Sequence, residues 1–344
     1  MKSKPFGLDI GATTIKVVSL AKQQDGFLLT AASILPTPSK GMFSESPLDQ
    51  EEMAQAIRSI ISEAKITTPY VNIALPESQV YTRVLDMPVL SDKELASAIY
   101  WEAEQYIPVP LPTVTLDWKI IRRPKQEEPN AKMQVLLVGA PTGLVNKYQK
   151  IMALSGLTLN AVETEILSIL RSTISGDNFP NSLIIHIGAI STLLALVKGG
   201  TIVFLYVVPI GGIAITRAIA ESFGFTASQA EEYKRIYGYS SKTLDGKIGK
   251  TTEPILQSIL TEVKKALTFY NDKYKNEAPI TQILLSGGTS KLPGIDLFFA
   301  SNAGVETVRI NPWKVLVAQQ IPKEILDNAP DYTIAVGLAM RSYE

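Results

Sequence analysis

A carboxylate, a glycine turn, two hydroxyls and a lysine lie close together near the start of the chain, as Asp9, Gly11, Ala12, Thr13, Thr14 and Lys16. Small residues let backbone N–H groups close around an anion, and the threonine hydroxyls add further donors. Lys16 supplies a compact positive charge, while the Asp9 carboxylate is a hard oxygen ligand for a hydrated divalent cation. The spacing therefore predicts a phosphate and metal site, although an ordinary hairpin with a glycine turn has the same pattern.

The pattern of strand, glycine turn, hydroxyls and strand occurs a second time at residues 184–196, where the turn contains Gly188, Ala189, Ser191 and Thr192. Two more segments of small residues follow, Gly211 with Gly212 and then Ser286 with Gly287, Gly288 and Thr289. The repeat of the first hairpin motif at residues 184–196 predicts two similar lobes that face each other. Glycines let the backbone approach a ligand closely, but they serve tight turns between sheets and helices equally well.

Apolar patterns predict the strands and helices that must position these turns. Residues 6–35 are typical of three strands, and the apolar runs within residues 183–216 are typical of central strands. Each run is shorter than the roughly 18 residues that a membrane-spanning helix needs. Helices are predicted at residues 163–175, 215–223, 252–274 and 332–341. Two capping boxes, Asp49 with Glu52 and Ser91 with Glu94, indicate further helix starts.

The turns at Gly11, at Gly188 and at Gly287 with Gly288 resemble the phosphate-1, phosphate-2 and adenosine motifs of the actin/Hsp70/sugar-kinase ATPase superfamily. This resemblance implies an α/β, actin-like fold of two lobes, built from duplicated RNase H-like domains, with ATP and Mg²⁺ bound between them. It assigns the first two turns to the phosphates and Asp9 to the metal shell. Gly211 and Gly212 would line the phosphates, and the turn from Ser286 to Thr289 would pack against the adenine.

A narrower resemblance rests on Met87-Pro88 and on residues 101–108, Trp-Glu-Ala-Glu-Gln-Tyr-Ile-Pro. These segments resemble the PilM family of type IV pilus assembly proteins, which is related to the cell-division protein FtsA. The resemblance implies an ATP-binding scaffold of the inner-membrane pilus platform, in which nucleotide sets lobe closure. Its partner would be the N-terminal cytoplasmic tail of PilN, held between the first lobe and an inserted SHS2-type subdomain, 1C. Other platform proteins, assembly ATPases and self-association are further implied contacts.

The same resemblance assigns a ribose-binding pair to Glu231 and Lys234. The two residues are three apart on a predicted helix, so they share a face. Ser228 and Glu231 also have the spacing of a capping box, which would explain the glutamate without any ligand.

The resemblance implies that two residues affect ATP hydrolysis, Glu165 and His186. Glu165 corresponds to a superfamily carboxylate near the metal-bound water, although the dipole at a helix start would also favour an acid there. His186 stands where the superfamily usually has an aspartate that faces the metal. An imidazole is a poor ligand for Mg²⁺, and burial between isoleucines favours a neutral, structural ring over a general base. We therefore expect ATP binding with slow hydrolysis.

The resemblance also divides the chain. Residues 1–83 and 161–182 would form lobe I, with subdomain 1C inserted at residues 84–160. Lobe II would cover residues 183–312, and residues 313–344 would return to lobe I. Trp101 and Tyr106 lie on the predicted helix of the insert, where we expect them to be partly in its core.

Composition limits the classes of partner. Lysine plus arginine and aspartate plus glutamate are balanced at 33 each, without a long basic run. This balance argues against nucleic acid or an anionic bilayer as the main partner. The absence of cysteine excludes disulfides and thiolate metal sites and is consistent with the cytoplasm. We expect a cytoplasmic protein that reaches the inner membrane only through its partners.

Two other functions are compatible with the superfamily. An FtsA-like filament protein would end in an amphipathic membrane helix, and the sequence ends at Tyr343-Glu344 without one. A small-molecule kinase would need an aspartate base facing the substrate hydroxyl, and no motif for a sugar or acid substrate is present. Both therefore rank below the pilus scaffold.

Overall fold

The first lobe is built on a five-stranded sheet. A computed structural model of the chain describes residues 4–124, 132–174, 176, 178–240 and 246–344. The first sheet has the order β3-β2-β1-β4-β8. Its strands are β1 (Phe6–Ile10), β2 (Thr14–Gln23), β3 (Gly26–Pro36), β4 (Tyr70–Leu75) and β8 (Thr158–Thr164). The first three strands pair antiparallel, whereas β4 and β8 run parallel to β1.

The second lobe repeats this topology. Its sheet has the order β11-β10-β9-β12-β13, again with three antiparallel strands followed by two parallel ones. The strands are β9 (Ser182–Ile187), β10 (Thr192–Lys198), β11 (Thr201–Val208), β12 (Gln282–Ser286) and β13 (Glu306–Arg309). The apolar runs near residues 183–216 are thus strands, as predicted. No helix in the described ranges is long and apolar enough to span a membrane.

Helices cover the faces of both sheets. In the first lobe they are α1 (Pro47–Glu63), α3 (Thr142–Leu154) and α4 (Glu165–Thr173), with α10 (Thr333–Met340) packing against β1 and α4. In the second lobe they are α5 (Gly212–Phe223), α6 (Ala227–Tyr237), α7 (Lys247–Lys273) and α8 (Ile295–Ala303). The short α9 (Lys323–Asp327) precedes α10. Helix α10 is buried along nearly its whole length, so the last segment of the chain completes the first lobe.

A three-stranded unit is inserted between β4 and α3. It consists of β5 (Tyr81–Pro88), α2 (Asp92–Tyr106), β6 (Val114–Arg122) and β7 (Lys132–Pro141), in the sheet order β5-β7-β6. Helix α3 and the first residues of strand β8 lie within the predicted insert at 84–160, but both elements belong to the first lobe, where β8 pairs with β4. Tyr148, Ile151 and Met152 on α3 bury their side chains against α1 and the first sheet.

Helix α2 buries Leu95, Ile99 and Ala103 in the core of the insert. The expectation that Trp101 and Tyr106 would be partly core is wrong for Trp101, which is 71% exposed. Tyr106 is 37% exposed, and the Arg83 guanidinium lies over its ring. The core positions recur at four-residue spacing, and Trp101 lies between two of them on another side of the helix.

The predicted capping boxes have different outcomes. The box at Ser91 and Glu94 is confirmed, because Ser91 N donates to Glu94 Oε2 at 2.8 Å and Glu94 N to Ser91 Oγ at 3.4 Å. The box at Asp49 is wrong, because the helix already begins at Pro47, whose fixed φ suits the first helical position.

The box at Ser228 and Glu231 is also wrong. The N-cap of α6 is Thr226, which bonds reciprocally with Gln229. Thr226 precedes the helix with an extended backbone, whereas Ser228 already lies inside it. The capping explanation for Glu231 therefore does not hold.

Candidate functional site

The two lobes face each other across a cleft of about 1210 Å³. Most of the predicted site residues line it, namely Asp9, Gly11, Ala12, Thr13, Thr14, Lys16, Glu165, His186, Gly188, Ala189, Ser191, Gly212, Glu231, Lys234, Gly287, Gly288 and Thr289. Three predicted residues lie behind this lining. Thr192 is buried and donates to Ile210 O at 2.7 Å, and Ser286 is buried beside His186. At Gly211 a Cβ atom would lie 2.6 Å from the Ala189 backbone, so this glycine permits a close turn.

The hairpin turns of the two lobes have the same internal hydrogen bond. Gly11 N donates to Thr14 O at 3.0 Å in the first lobe, and Gly188 N donates to Ser191 O at 2.9 Å in the second. Thr37 Oγ1 also donates to Gly11 O at 2.7 Å, which fixes the first turn against the end of β3. The repeat seen in the sequence therefore corresponds to a repeat in structure, with both turns opening onto one cleft.

The register of the first hairpin places a charged pair at its base. Asp9 on β1 is directly opposite Lys16 on β2. Lys16 Nζ donates to Asp9 Oδ2 at 3.0 Å, and the two side chains are only 10% and 8% exposed. A directly opposed pair of opposite charges stabilises a hairpin, and here it also holds both groups toward the cleft.

The start of α5 packs tightly between the second and third turns. Gly212 N donates to Gly188 O at 2.9 Å. A Cβ atom on Gly212 would lie 2.2 Å from Thr289 Oγ1, so a side chain there would force the two turns apart. Gly287 has φ of +83°, and a Cβ atom there would lie 2.5 Å from Ile187 O. Glycine at these positions lets the turns and the helix meet at the wall of the cleft.

Glu231 and Lys234 form a partly buried polar cluster with Thr216, a residue that the sequence did not indicate. Thr216 Oγ1 donates to Glu231 Oε2 at 2.6 Å, and Lys234 Nζ lies 2.6 Å from the same oxygen. Burial would raise the pKa of Glu231, but the Lys234 charge lowers it below its usual range. Burial lowers the pKa of Lys234 despite the carboxylate beside it. No sequence motif marks Thr216, because α5 and α6 bring it to this pair only in the fold.

Glu165 begins α4, lines the cleft and accepts a hydrogen bond from Glu77 N at 3.0 Å. Burial, aided by the Asp9 charge, raises the pKa of Glu165 to about 7. Glu77, also missed from the sequence, is buried beside it, and burial raises its pKa well above the usual range. Repulsion between the carboxyls thus joins desolvation in favouring their protonated forms.

Among the described residues, no cluster of three or more carboxylate, histidine or cysteine side chains is arranged to hold a metal by itself. Mg²⁺ commonly takes one or two carboxylates and completes its shell with phosphates and water. Asp9 and Glu165 line the same cleft and interact electrostatically. This donor set fits a magnesium ion that arrives with a phosphate ligand.

His186 lies across the cleft from the charged pair of the first lobe. Its Nδ1 is 3.0 Å from Ser286 Oγ, and burial, aided by the Lys16 charge, lowers the ring pKa to about 3. The imidazole is therefore neutral near pH 7. Such a weak base does not suit proton abstraction, because general bases work best with a pKa near the operating pH.

The third turn contacts the segment that returns to the first lobe. Gly287 N donates to Pro330 O at 3.2 Å, and Lys291 Nζ lies 2.5 Å from Asp331 Oδ2. Lys291 and Asp331 line the cleft but were not predicted, because each is a lone charged residue outside the turn from Ser286 to Thr289.

Comparison with known proteins decides the family. A family model described as type IV pilus assembly protein PilM matches residues 7–343. The chain belongs to the PilM family. The match extends over both lobes and the inserted unit, so type IV pilus assembly is the process in which this protein acts.

The solved PilM-PilN type IV pilus biogenesis complex is similar to this chain with a TM-score of 0.86 and 28% identity, covering 100% of both chains. Cell division protein FtsA of Streptococcus pneumoniae serotype 2 is 24% identical over 327 residues, which are 84% of this chain and 71% of FtsA. MreB5 of Spiroplasma citri bound to ADP is similar in fold, with a TM-score of 0.53 and 14% identity over 98% of this chain and 95% of MreB5. The actin-like fold predicted from the three turns is confirmed.

Proposed function

We propose that this PilM-family protein binds ATP with Mg²⁺ between its lobes and acts as a nucleotide-controlled scaffold of the pilus assembly platform. The observation that carries the proposal is the pair of matched hairpin turns, which open onto one cleft from opposite lobes. Two such turns present backbone N–H groups and hydroxyls from both sides, which suits a chain of phosphates.

Different lining residues would bind different parts of the nucleotide. Thr13, Thr14 and Lys16 in the first turn, and Gly188 to Ser191 in the second, would bind the phosphates. Glu231 and Lys234 would bind the ribose, and the turn at Gly287 and Gly288 would pack against the adenine. These separate positions along the cleft would then fix the orientation of the nucleotide.

Asp9 and Glu165 would hold the hydration shell of Mg²⁺, which supplies positive charge to the phosphates. His186 stands in place of an anionic ligand, so the protein has few groups to orient an attacking water. Phosphoryl transfer depends mainly on such positioning and electrostatics, and we therefore propose slow hydrolysis. Nucleotide occupancy would then control lobe closure for long periods.

We infer that the inserted unit transmits that closure. Its apolar face, including Leu136 and Val138, packs in one cluster with Ile166 of the first lobe and with Leu205 and Val207 of the second. An ion pair also joins Asp86 on β5 to Lys273 on α7 at 3.0 Å. Because the unit contacts both lobes, a change in their separation must alter its position or its contacts.

The partner we propose is the N-terminal cytoplasmic peptide of PilN, held where the insert meets the first lobe. The similar solved structure is a complex of PilM with PilN, and the similarity covers the full length of this chain and of the matched chain. Such a tail would recruit the protein to the cytoplasmic face of the inner membrane, where other platform proteins and assembly ATPases would also meet it. Self-association would form part of the same assembly.

Calorimetry with a synthetic PilN N-terminal peptide tests this function. We expect the peptide to bind the purified chain and its affinity to change when ATP and Mg²⁺ are present. A peptide of the same composition in scrambled order is the control. Equal heats for both peptides would contradict the scaffold proposal, and an affinity unaffected by saturating nucleotide would contradict the control by lobe closure.

A further inference from the structure

His186 is the single histidine of the sequence, and a serine on the neighbouring strand fixes its ring. Strands β9 and β12 run parallel, and their register pairs Ser286 with His186. The ring Nδ1 lies 3.0 Å from Ser286 Oγ. Ser286 is fully buried, whereas His186 lines the cleft between the lobes. One ring nitrogen is thus engaged behind the cleft wall, which leaves the other for the cleft.

The direction of this hydrogen bond follows from what each group needs. The Ser286 hydroxyl has no hydrogen-bond partner except His186 Nδ1 in the described part of the chain. If Nδ1 carried the ring proton and donated it, the hydroxyl proton would remain buried and unpaired, which is costly. Ser286 therefore donates to Nδ1, and a neutral ring must then carry its single proton on Nε2.

The Nε2–H group is available to a ligand. It makes no hydrogen bond to any residue that the structure describes. Burial, together with the charge of Lys16, lowers the pKa of the ring and keeps the imidazole neutral. Lys16 lines the same cleft as His186 from the first lobe. A neutral N–H donor and a lysine therefore face the same space from opposite lobes, and together they favour an anionic oxygen between them.

Building on the proposed function, we propose that His186, oriented by the positioning residue Ser286, donates a hydrogen bond from Nε2 to the terminal phosphate of a bound nucleoside triphosphate. Lys16 would bind the same phosphate from the first lobe. A triphosphate would thus connect the two lobes, whereas a diphosphate would lack the connecting group. The histidine in place of the superfamily's aspartate then serves recognition of the triphosphate rather than orientation of water.

Nitrogen-15 NMR of histidine-labelled protein tests the ring assignment without nucleotide, because a single histidine gives unambiguous signals. We expect the wild type to show a protonated Nε2 and an unprotonated Nδ1. Ser286→Ala should release the ring into a mixture of tautomers, and Ser286→Thr, which keeps the hydroxyl, should retain the single form. A wild-type ring protonated on Nδ1 would overturn the proposal.

Calorimetry with ATP and ADP, both with Mg²⁺, tests the ligand. His186→Ala should weaken ATP binding by roughly 10- to 100-fold, the range for a lost hydrogen bond to a charged group, and ADP binding far less. His186→Gln, which keeps an N–H donor, should recover part of the ATP affinity. Equal losses for ATP and ADP, or no loss for ATP, would overturn the inference while leaving the proposed function standing. Failure of the wild type to bind either nucleotide would overturn both.

Discussion

Replacement of Lys16 by methionine separates the structural role of the charged pair from its role in binding. The Lys16 and Asp9 side chains are 10% and 8% exposed and 3.0 Å apart, so Lys16→Met would leave a largely buried carboxylate without its partner. Loss of one member of a buried pair costs about 3–5 kcal/mol, and we expect the lower end because the pair borders a cleft that water enters. The double variant Asp9→Asn with Lys16→Met removes the stranded charge and should recover most of this loss.

The assays are urea denaturation for the free energy of unfolding and calorimetry for ATP. The single variant should lose about 3 kcal/mol of stability, and the double variant should approach the wild type in stability yet bind ATP much more weakly. If Lys16→Met unfolds at the same urea concentration as the wild type, solvent screens the pair and the expected loss of stability is wrong. If the double variant binds ATP as the wild type does, these two residues do not contact the phosphates or the metal.

Three further predictions concern Glu165, His186 and the contact between the inserted unit and the second lobe. The folded-state pKa of Glu165 is raised from 4.5 to about 7, so its contribution to stability is full below pH 4.5 and is lost as the pH rises to 7. Glu165→Gln should flatten that decline in urea titrations, and an unchanged pH profile would contradict it. His186→Asp should raise ATP turnover in a phosphate-release assay by restoring an anionic anchor for Mg²⁺, whereas lower turnover would identify the histidine as a base. Lys273→Ala should lower the free energy of unfolding by less than about 1 kcal/mol but reduce the effect of ATP on PilN-peptide affinity. If ATP changes the peptide affinity of this variant as much as that of the wild type, Asp86 and Lys273 do not transmit lobe closure.

The sequence predicts those parts of the site that are encoded locally. Each hairpin turn is a short segment in which residue type and spacing determine the structure, so Gly11 and Gly188 could be paired from the sequence alone. The strands between residues 6 and 35 were found for the same reason. The hydrogen bonds of the Ser91 capping box likewise lie within four consecutive residues.

Contacts that only the tertiary structure creates were not predictable. Thr216, Glu77 and Asp331 each carry a common side chain without a motif, and separate elements bring them to the cleft. Choice between neighbouring caps also failed, because both Thr226 and Ser228 begin acceptable capping boxes in the sequence. The packing of Tyr148 and its neighbours against α1 decides that α3 belongs to the first lobe, and no local pattern records that packing.

Thermal unfolding of the purified chain with and without ATP and Mg²⁺ tests whether the cleft between the lobes binds nucleotide. A ligand that binds only the folded cleft should stabilise it by about 2.7 kcal/mol at a hundredfold excess over its dissociation constant, seen as a higher melting temperature. The double variant at Asp9 and Lys16 is the matched control and should show little shift. A wild-type melting temperature unchanged at millimolar ATP would show that the cleft does not bind the nucleotide.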